Sequence, residues 1–398
     1  MQNLRAVLDL GNGYVKGVLF AQEEWQTIIV AKEMIKTVGM RKGKFLDIEE
    51  FEVGLVELLN EFNKKLWGNF LDEIVIGISH PDMLFTRIKE FKRVMSTSIT
   101  VDDVAHLSKV LWDISTQVNY ETLKIIPIEW IIDDHIRLKD PVGMQGSKLE
   151  VVADVFALPK NFYQHILDII NKLDLNVVDI IPNILWWSEL AVDFDAKDLG
   201  TLFIDIWANQ TSFAVYEEGI ALWYQVIPLW WENVTKDISI WLQIDIKEAE
   251  IIKREKGIIL WDEKIDSDDS IDLAFLSDII SARYEEIFNI INEYLIQAGR
   301  DGKLAWGVIL TWGGAKMRRL DQLAKHVFKL AVFYGKDKVI GNTELSNNIQ
   351  FVNVLGDYIW SVKYEEGQGW AWSLKLGRLM NIWWDIFSKL RKWIREII

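Results

Sequence analysis

Val7-Leu8-Asp9-Leu10-Gly11-Asn12-Gly13 and Phe203-Ile204-Asp205-Ile206-Trp207-Ala208-Asn209 follow one pattern. Each is an apolar strand that carries a single Asp, turns within a few residues and returns as a second strand, Val15 to Phe20 in the first copy and Ser212 to Tyr216 in the second. A carboxylate inside an apolar strand is costly to bury unless something compensates it, and a metal-bound phosphate is such a partner. In the first copy Gly11 and Gly13 permit φ > 0 and let backbone N–H groups approach an anion closely. Asn12-Gly13 alone is also the commonest kind of hairpin turn, so without the repeat an ordinary hairpin is the simpler reading. A third segment, Val308-Ile309-Leu310-Thr311, reads as a buried strand that runs into a Gly313-Gly314 bend and a helix start at Ala315. A flat ring or a sugar can rest on the bare backbone of such a junction. Together the three segments predict two similar α/β half-molecules facing one nucleotide.

Composition narrows the class. The 398 residues leave room for two domains or more, and 50% hydrophobic with 26% charged residues is ordinary for a globular protein. No run of about 18 apolar residues occurs, so no bilayer-spanning segment is expected. The N-terminus lacks a basic flank followed by an apolar stretch, so no signal peptide is expected and the cytoplasm is the natural compartment. The absence of cysteine excludes disulfides and thiolate metal sites. His80, His106, His135, His165 and His326 show no metal-ligand spacing and read as surface or satisfied polar residues. A net charge of −15 argues against nucleic acid as a partner.

Helical and strand signals alternate along the chain, as an α/β architecture requires. A helix is expected over Ile48 to Leu66 and a short buried strand over Ile74 to Ile78. From Met83 to about Tyr163 the signals form a self-contained α/β piece, with a helix near Val101 to Val118 and strands at Ile125 to Ile132 and Lys148 to Ala157. A helix follows at Asn161 to Leu173, and long amphipathic helices are expected over Ile238 to Lys256 and Leu273 to Ala298. The acidic stretch Asp262 to Asp272 between them reads as a solvated loop.

These residues resemble the actin-like ATPases, through the paired Asp hairpins and Leu310-Thr311-Trp312-Gly313-Gly314-Ala315. Within that group the chain resembles the bacterial cell-division FtsA family. The resemblance is carried by Lys124 to Asp134, by Asp140-Pro141-Val142-Gly143-Met144 with its continuation to Glu150, by Ile227-Pro228 and by Asn233 to Ile238. Ala249-Glu250 with Lys253 completes it.

The resemblance implies an actin-like two-lobe fold of duplicated ribonuclease-H-like domains with an inserted subdomain. The implied boundaries are 1–82, 164–192 and 350–362 for subdomain 1A, 83–163 for the insert 1C, 193–228 and 301–349 for 2A, and 229–300 for 2B. It also implies ATP and Mg²⁺ as ligands. Asp9, Gly11, Asn12 and Gly13 match the first phosphate loop, and Asp205, Trp207, Asn209, Gln210 and Thr211 the second. Glu250 and Lys253 match positions flanking the adenosine, and Trp312, Gly313, Gly314 and Ala315 the loop under the nucleoside. Asp9 and Asp205 would hold hydrated Mg²⁺, mostly through water. No catalytic base is identifiable, and Asp9 and Asp205 could equally orient a water, so any ATPase activity is expected to be weak. From spacing alone Glu250 and Lys253 would be a surface i,i+3 ion pair.

The segment Ile382 to Ile398 has apolar residues at helical spacing, Trp383, Ile386, Phe387, Leu390, Trp393, Ile394 and Ile397. Lys389, Arg391, Lys392 and Arg395 lie mainly elsewhere around the wheel. That pattern suits a helix lying flat on an anionic membrane, although a helix packed on the protein body shows the same periodicity. The FtsA resemblance implies the membrane reading. Residues 363–381 read as a short linker of limited reach. The implied job is to polymerise on the cytoplasmic face of the inner membrane at the division site. There it would tether filaments of the tubulin-like protein FtsZ through the FtsZ C-terminal peptide, with other division proteins as further partners. An actin-like adaptor of a pilus or secretion machine is the alternative, and a sugar or acetate kinase a more distant one.

The chain departs from the family in its 20 tryptophans. Trp207, Trp230, Trp231, Trp241 and Trp312 stand where FtsA-like proteins carry glycine. An indole at such turns would occupy ligand space and resist the φ > 0 geometry that glycine supplies. The expectation is that these positions are UGA codons read as glycine by the source organism.

Overall fold

The structure is a computed structural model, and it describes residues 3–23, 26–41, 43–66, 71–115, 117–207, 210–229, 231–260, 272–311, 313–335 and 351–366. They divide into two compact units that part after Trp187, with the helix at Val352–Glu366 belonging to the first.

The first unit begins with three antiparallel strands, β1 (Asn3–Leu10), β2 (Tyr14–Glu23) and β3 (Gln26–Lys36). A two-stranded hairpin, β4 (Met40–Arg41) and β5 (Lys44–Phe45), leads into helix α1 (Ile48–Asn63). Asp47 caps α1 by accepting the Glu50 N–H at 3.0 Å, and Glu49 and Glu50 in the first turn oppose the helix dipole. Its buried stripe, Phe51, Leu55, Leu58, Leu59 and Phe62, covers the sheet. Strand β6 (Glu73–Ile78) then pairs parallel with β1.

The chain next forms a subdomain of its own: β7 (Leu84–Arg93), α2 (Val101–Ser115), β8 (Tyr120–Ile132), β9 (Ile136–Leu138) and β10 (Lys148–Pro159). Its antiparallel sheet runs β7-β10-β8-β9 and packs Val151, Val155, Ile125 and Trp130 against Leu107 and Leu111 of α2. Asp133, at φ 48°, accepts from the N–H groups of Ser147 and Lys148 and closes the loop that carries Asp140 to Gly146. Helix α3 (Lys160–Lys172) and strand β11 (Asn176–Pro182) return to the first sheet, whose order is β11-β6-β1-β2-β3.

Helix α4 (Asn183–Ala191) and helix α5 (Phe194–Leu199) precede the second sheet. There β12 (Thr201–Ile206), β13 (Thr211–Glu217) and β14 (Ile220–Ile227) form an antiparallel meander. Helices α6 (Trp231–Leu242), α7 (Ile246–Lys256) and α8 (Leu273–Gln297) follow. Strand β15 (Gly307–Thr311), a 3₁₀ turn at Gly313–Lys316, helix α9 (Leu320–Phe328) and strand β16 (Val332–Tyr334) complete the unit. One hydrophobic cluster joins this sheet to its helices, with Phe213, Ile280, Ile287, Phe288, Leu310 and Phe328 fully buried. Helix α10 (Val352–Glu366) packs on β1 and β6 of the first unit.

The second sheet has order β14-β13-β12-β15-β16, two antiparallel neighbours on one side of the central strand and two parallel ones on the other. The first sheet repeats that order, with β1 in place of β12. The fold is therefore α/β and actin-like, a duplicated sheet with a subdomain inserted in its first copy.

Three local expectations are corrected. The segment from Ile238 to Lys256 is two helices, not one, because Gln243 takes a left-handed φ of 54° and Asp245 starts a new helix by accepting the Lys247 N–H. Ala315 lies in the 3₁₀ turn, and the α-helix starts only at Leu320. Helix α10 runs to Glu366, past the expected linker start at Lys363.

Candidate functional site

Asp9 and Asp205 occupy the same place in the two sheets, the penultimate residue of the central strand. The antiparallel partner of Asp9 is Lys16 and that of Asp205 is Ser212. On the parallel side Gly77 lies opposite Asp9, and Thr311 opposite Asp205. Both carboxylates are buried, at 3% and 4% exposure, so each needs polar partners.

The two sets of partners differ. Asp9 accepts from Asn183 Nδ2 at 2.9 Å and from Asn353 Nδ2 at 3.0 Å, and pairs with Lys16 Nζ at 3.5 Å. Gly77 leaves room beside it for Asp357, since an added Cβ would lie 1.7 Å from Asp357 Oδ2. Burial, with Asp9 nearby, pushes the Asp357 carboxyl well above the usual carboxylate range. Asp205 accepts from Thr311 Oγ1 at 2.9 Å and from the Trp207 indole N–H. The expected phosphate loop therefore folds its own Trp onto the carboxylate, and the Trp207 backbone N–H closes the turn on Gln210 O at 2.9 Å. Thr211 Oγ1 donates to Leu229 O at 2.8 Å. Asn209 and Trp312 lie outside the described residues.

Around the first turn, Thr37 Oγ1 donates to Gly11 O at 2.6 Å and its N–H to Gly13 O at 2.9 Å, while Asn12 Oδ1 accepts the Gly43 N–H at 2.7 Å. An added Cβ at Gly11 would come within 2.7 Å of Tyr14 O, so the turn admits no side chain there.

Helices α6 and α7 bring Thr235, Glu250 and Lys253 together. Lys253 pairs with Glu250 Oε2 at 2.6 Å and donates to Thr235 Oγ1, which donates to the same Glu250 oxygen at 2.6 Å. Arg254 Nε holds the other Glu250 oxygen at 2.7 Å. The pair is not a surface one, because the Lys253 side chain is fully buried. Desolvation pushes the Glu250 carboxyl up, but the bonds from Lys253, Thr235 and Arg254 outweigh it and hold the pKa at about 2. Desolvation lowers the Lys253 ammonium to about 8 against the pull of Glu250. At the third expected segment, buried Tyr284 of α8 donates its hydroxyl to Gly314 O at 2.7 Å. A Cβ on Gly314 would approach Ile206 Cγ2 to 2.3 Å, so this junction presents bare backbone.

A cation beside either carboxylate would have to be held mostly through its water shell. Among the described residues no three His, Cys, Asp or Glu gather at metal-binding distance. Gln210 Oε1 is a buried acceptor with no hydrogen-bond partner, and the protons it lacks are what metal-bound water supplies.

Sequence reasoning missed Asn183, Asn353, Thr235, Thr311 and Tyr284. Asn183 and Asn353 stand 174 and 344 residues from the Asp9 they hold, and no local pattern marks such partners. Lys16 was detectable, since the two-residue strand period places it opposite Asp9 across a short turn.

A second surface lies between α6 and α8, a groove of about 310 Å³ lined by Trp241, Phe275, Ile279 and Ala282. Asp237, Asp278, Arg283 and Glu286 also line it. Arg283 is bidentate to Asp237, at 2.7 and 3.0 Å, and Trp241 meets Phe275 edge-on at 6.5 Å.

The family model described as "Cell division protein FtsA" matches residues 202–356, and that of the SHS2 domain inserted in FtsA matches residues 86–157. Between them they span more than half of the chain. The cell division protein FtsA of Bacillus subtilis (strain 168) is 27% identical over 352 residues, which cover 84% of this chain and 79% of that protein. The FtsA of Enterococcus faecalis (strain ATCC 700802 / V583) is 27% identical over 363 residues, 87% of this chain and 81% of its own. A chain of the PilM–PilN type IV pilus biogenesis complex superposes with a TM-score of 0.62 at 16% identity, covering 90% of this chain and 98% of that one. At that identity the likeness shows the fold alone.

Proposed function

Because the chain belongs to the FtsA family, and is an actin-like protein of bacterial cell division, we propose that it binds Mg-ATP and polymerises on the inner membrane. There, at the division site on the cytoplasmic face, it tethers FtsZ filaments. The nucleotide reading rests chiefly on the placement of Asp9 and Asp205 at one position of two sheets of identical order. These two carboxylates would hold the hydrated Mg²⁺, which when bound offsets the phosphate charge. Gly11, Asn12, Gly13, Asn209, Gln210 and Thr211 would receive the phosphates on backbone and side-chain groups. Glu250, Lys253 and the Gly313-Gly314-Ala315 backbone would hold the nucleoside. No catalytic base is assigned, and hydrolysis is expected to be slow.

The groove between α6 and α8 is the proposed seat of the FtsZ C-terminal peptide. Its aromatic floor and mostly acidic rim suit a short segment with apolar anchors and basic flanks. Attachment to anionic lipid is assigned to residues 382–398, which lie outside the described residues.

Two measurements test this. Asp9→Ala and Asp205→Ala, each with folding verified, should weaken Mg-ATP binding at least tenfold by calorimetry, and wild-type affinity in both would remove the nucleotide reading. Immobilised FtsZ C-terminal peptide should retain the protein and lose it with Phe275→Ala, since an aromatic anchor is worth about 2 kcal/mol. Retention instead by the cytoplasmic tail of a pilus membrane protein would favour the pilus-adaptor role.

A further inference from the structure

His80, just after β6, is 2% exposed and takes no part in the groups described so far. Its Nδ1 accepts the Asp82 N–H at 3.0 Å, which leaves the ring proton on Nε2, and Nε2 donates to Gly43 O at 2.7 Å. Gly43, in the β4–β5 hairpin, passes the connection on, because its own N–H is the donor to Asn12 Oδ1 at 2.7 Å. Gly43 has φ +71°, and a Cβ there would lie 2.8 Å from His80 Nε2, so hairpin and imidazole fit only with glycine at this position. The Phe162 ring packs on the imidazole with centroids 4.6 Å apart. Burial holds the ring below the ordinary histidine range, and Asp82 and Lys44 are the charged groups that act on it. The chain thus buries a neutral histidine to fix a hairpin whose next contact is the middle residue of the Gly11-Asn12-Gly13 turn.

We propose that His80 is a positioning residue for phosphate binding: through Gly43 it fixes the Asn12 side chain and, with it, the turn that receives the phosphates. The inference rests on the reading of that turn as a phosphate site. Backbone N–H groups bind an anion well only when they are already aimed, so a loosened turn costs affinity for phosphate and leaves contacts to the nucleoside untouched. His80 reaches the turn through two hydrogen bonds and touches no proposed ligand-binding group itself.

The test compares Mg-ATP with adenosine on the full chain, by calorimetry. His80→Asn keeps an acceptor near the place of Nδ1 but falls short of Gly43, whereas His80→Gln can still donate to Gly43 O. Expected is about a tenfold loss of Mg-ATP affinity in His80→Asn, less than a twofold change for adenosine, and recovery of most of the loss in His80→Gln. Equal losses for the two ligands, or no difference between the variants, overturns the proposal. If His80→Asn does not fold, Asn12→Ala cuts the same connection at its far end, and an unchanged ratio of ATP to adenosine affinity in it is equally adverse. A wild-type chain that binds no ATP removes the nucleotide reading and this inference together, whereas wild-type binding with an unaffected His80→Asn removes the inference alone.

Discussion

At Glu250 the balance of two opposed effects has a measurable consequence. Its carboxyl lies at about 2 in the fold because three donors outweigh desolvation. A carboxylate depressed in this way contributes stability that is fully present above the ordinary glutamate range and is lost as pH falls toward about 2. Glu250→Gln should therefore cost on the order of 1–2 kcal/mol at pH 7, a figure discounted for the solvent that still screens the group, and progressively less from pH 5 down to pH 3. Urea midpoints across that range read the difference, and identical acid slopes would show that the ion pair is idle. Trp207 bears on nucleotide affinity. Its indole N–H occupies an oxygen of Asp205, so Trp207→Gly should free the carboxylate and raise Mg-ATP affinity several-fold. Equal affinity would mean that this turn does not face the phosphates. A UGA codon at 207 would make glycine the native residue, and UGG would end that idea. Trp241 does not stand at a turn at all: it is 64% exposed within α6, where glycine would be the poorer helix former.

Among the elements, the passage from β15 into the Gly313–Lys316 turn decides whether bare backbone is presented. Tyr284 of α8 holds the Gly314 carbonyl, and Ile206 at the end of β12 closes the space above Gly314. Gly314→Ala forces its Cβ against Ile206 and should cost about 1–3 kcal/mol in thermal unfolding. Gly143→Ala, left-handed at φ 86° with nothing within 4 Å, isolates a backbone cost that Gly314, outside that region, does not carry. No cost at Gly314 would show that β12 yields readily. The elements themselves were largely legible. The stripe of α1 follows from period 3.6, and the Asp-bearing strands from short continuous apolar runs that end in turn residues. The break at Gln243 was not, because a left-handed glutamine carries no mark in a sequence that stays amphipathic on both sides of it.

For the whole molecule, two sheets of the same strand order each present a carboxylate near the end of the central strand, and membrane attachment is proposed for residues 382–398, outside the described residues. Deleting residues 382–398 should abolish sedimentation with anionic vesicles and leave Mg-ATP affinity unchanged, because apolar insertion and basic attraction would both reside in that segment. Vesicle binding by the truncated chain at full strength would move the anchor elsewhere. The duplication, the positions of Asp9 and Asp205 and the self-contained α/β piece from Met83 to about Tyr163 were legible, since each is written in neighbouring residues as apolar runs, periodicity or turn signals. What compensates each buried carboxylate was set by the packing of the folded chain. Asn183 and Asn353 on Asp9, Thr311 and Trp207 on Asp205, and the path from His80 through Gly43 to Asn12 depend on strand register and helix packing. Those bring together groups up to 344 residues apart, and a buried polar group selects its partner by distance in space, which no local pattern records.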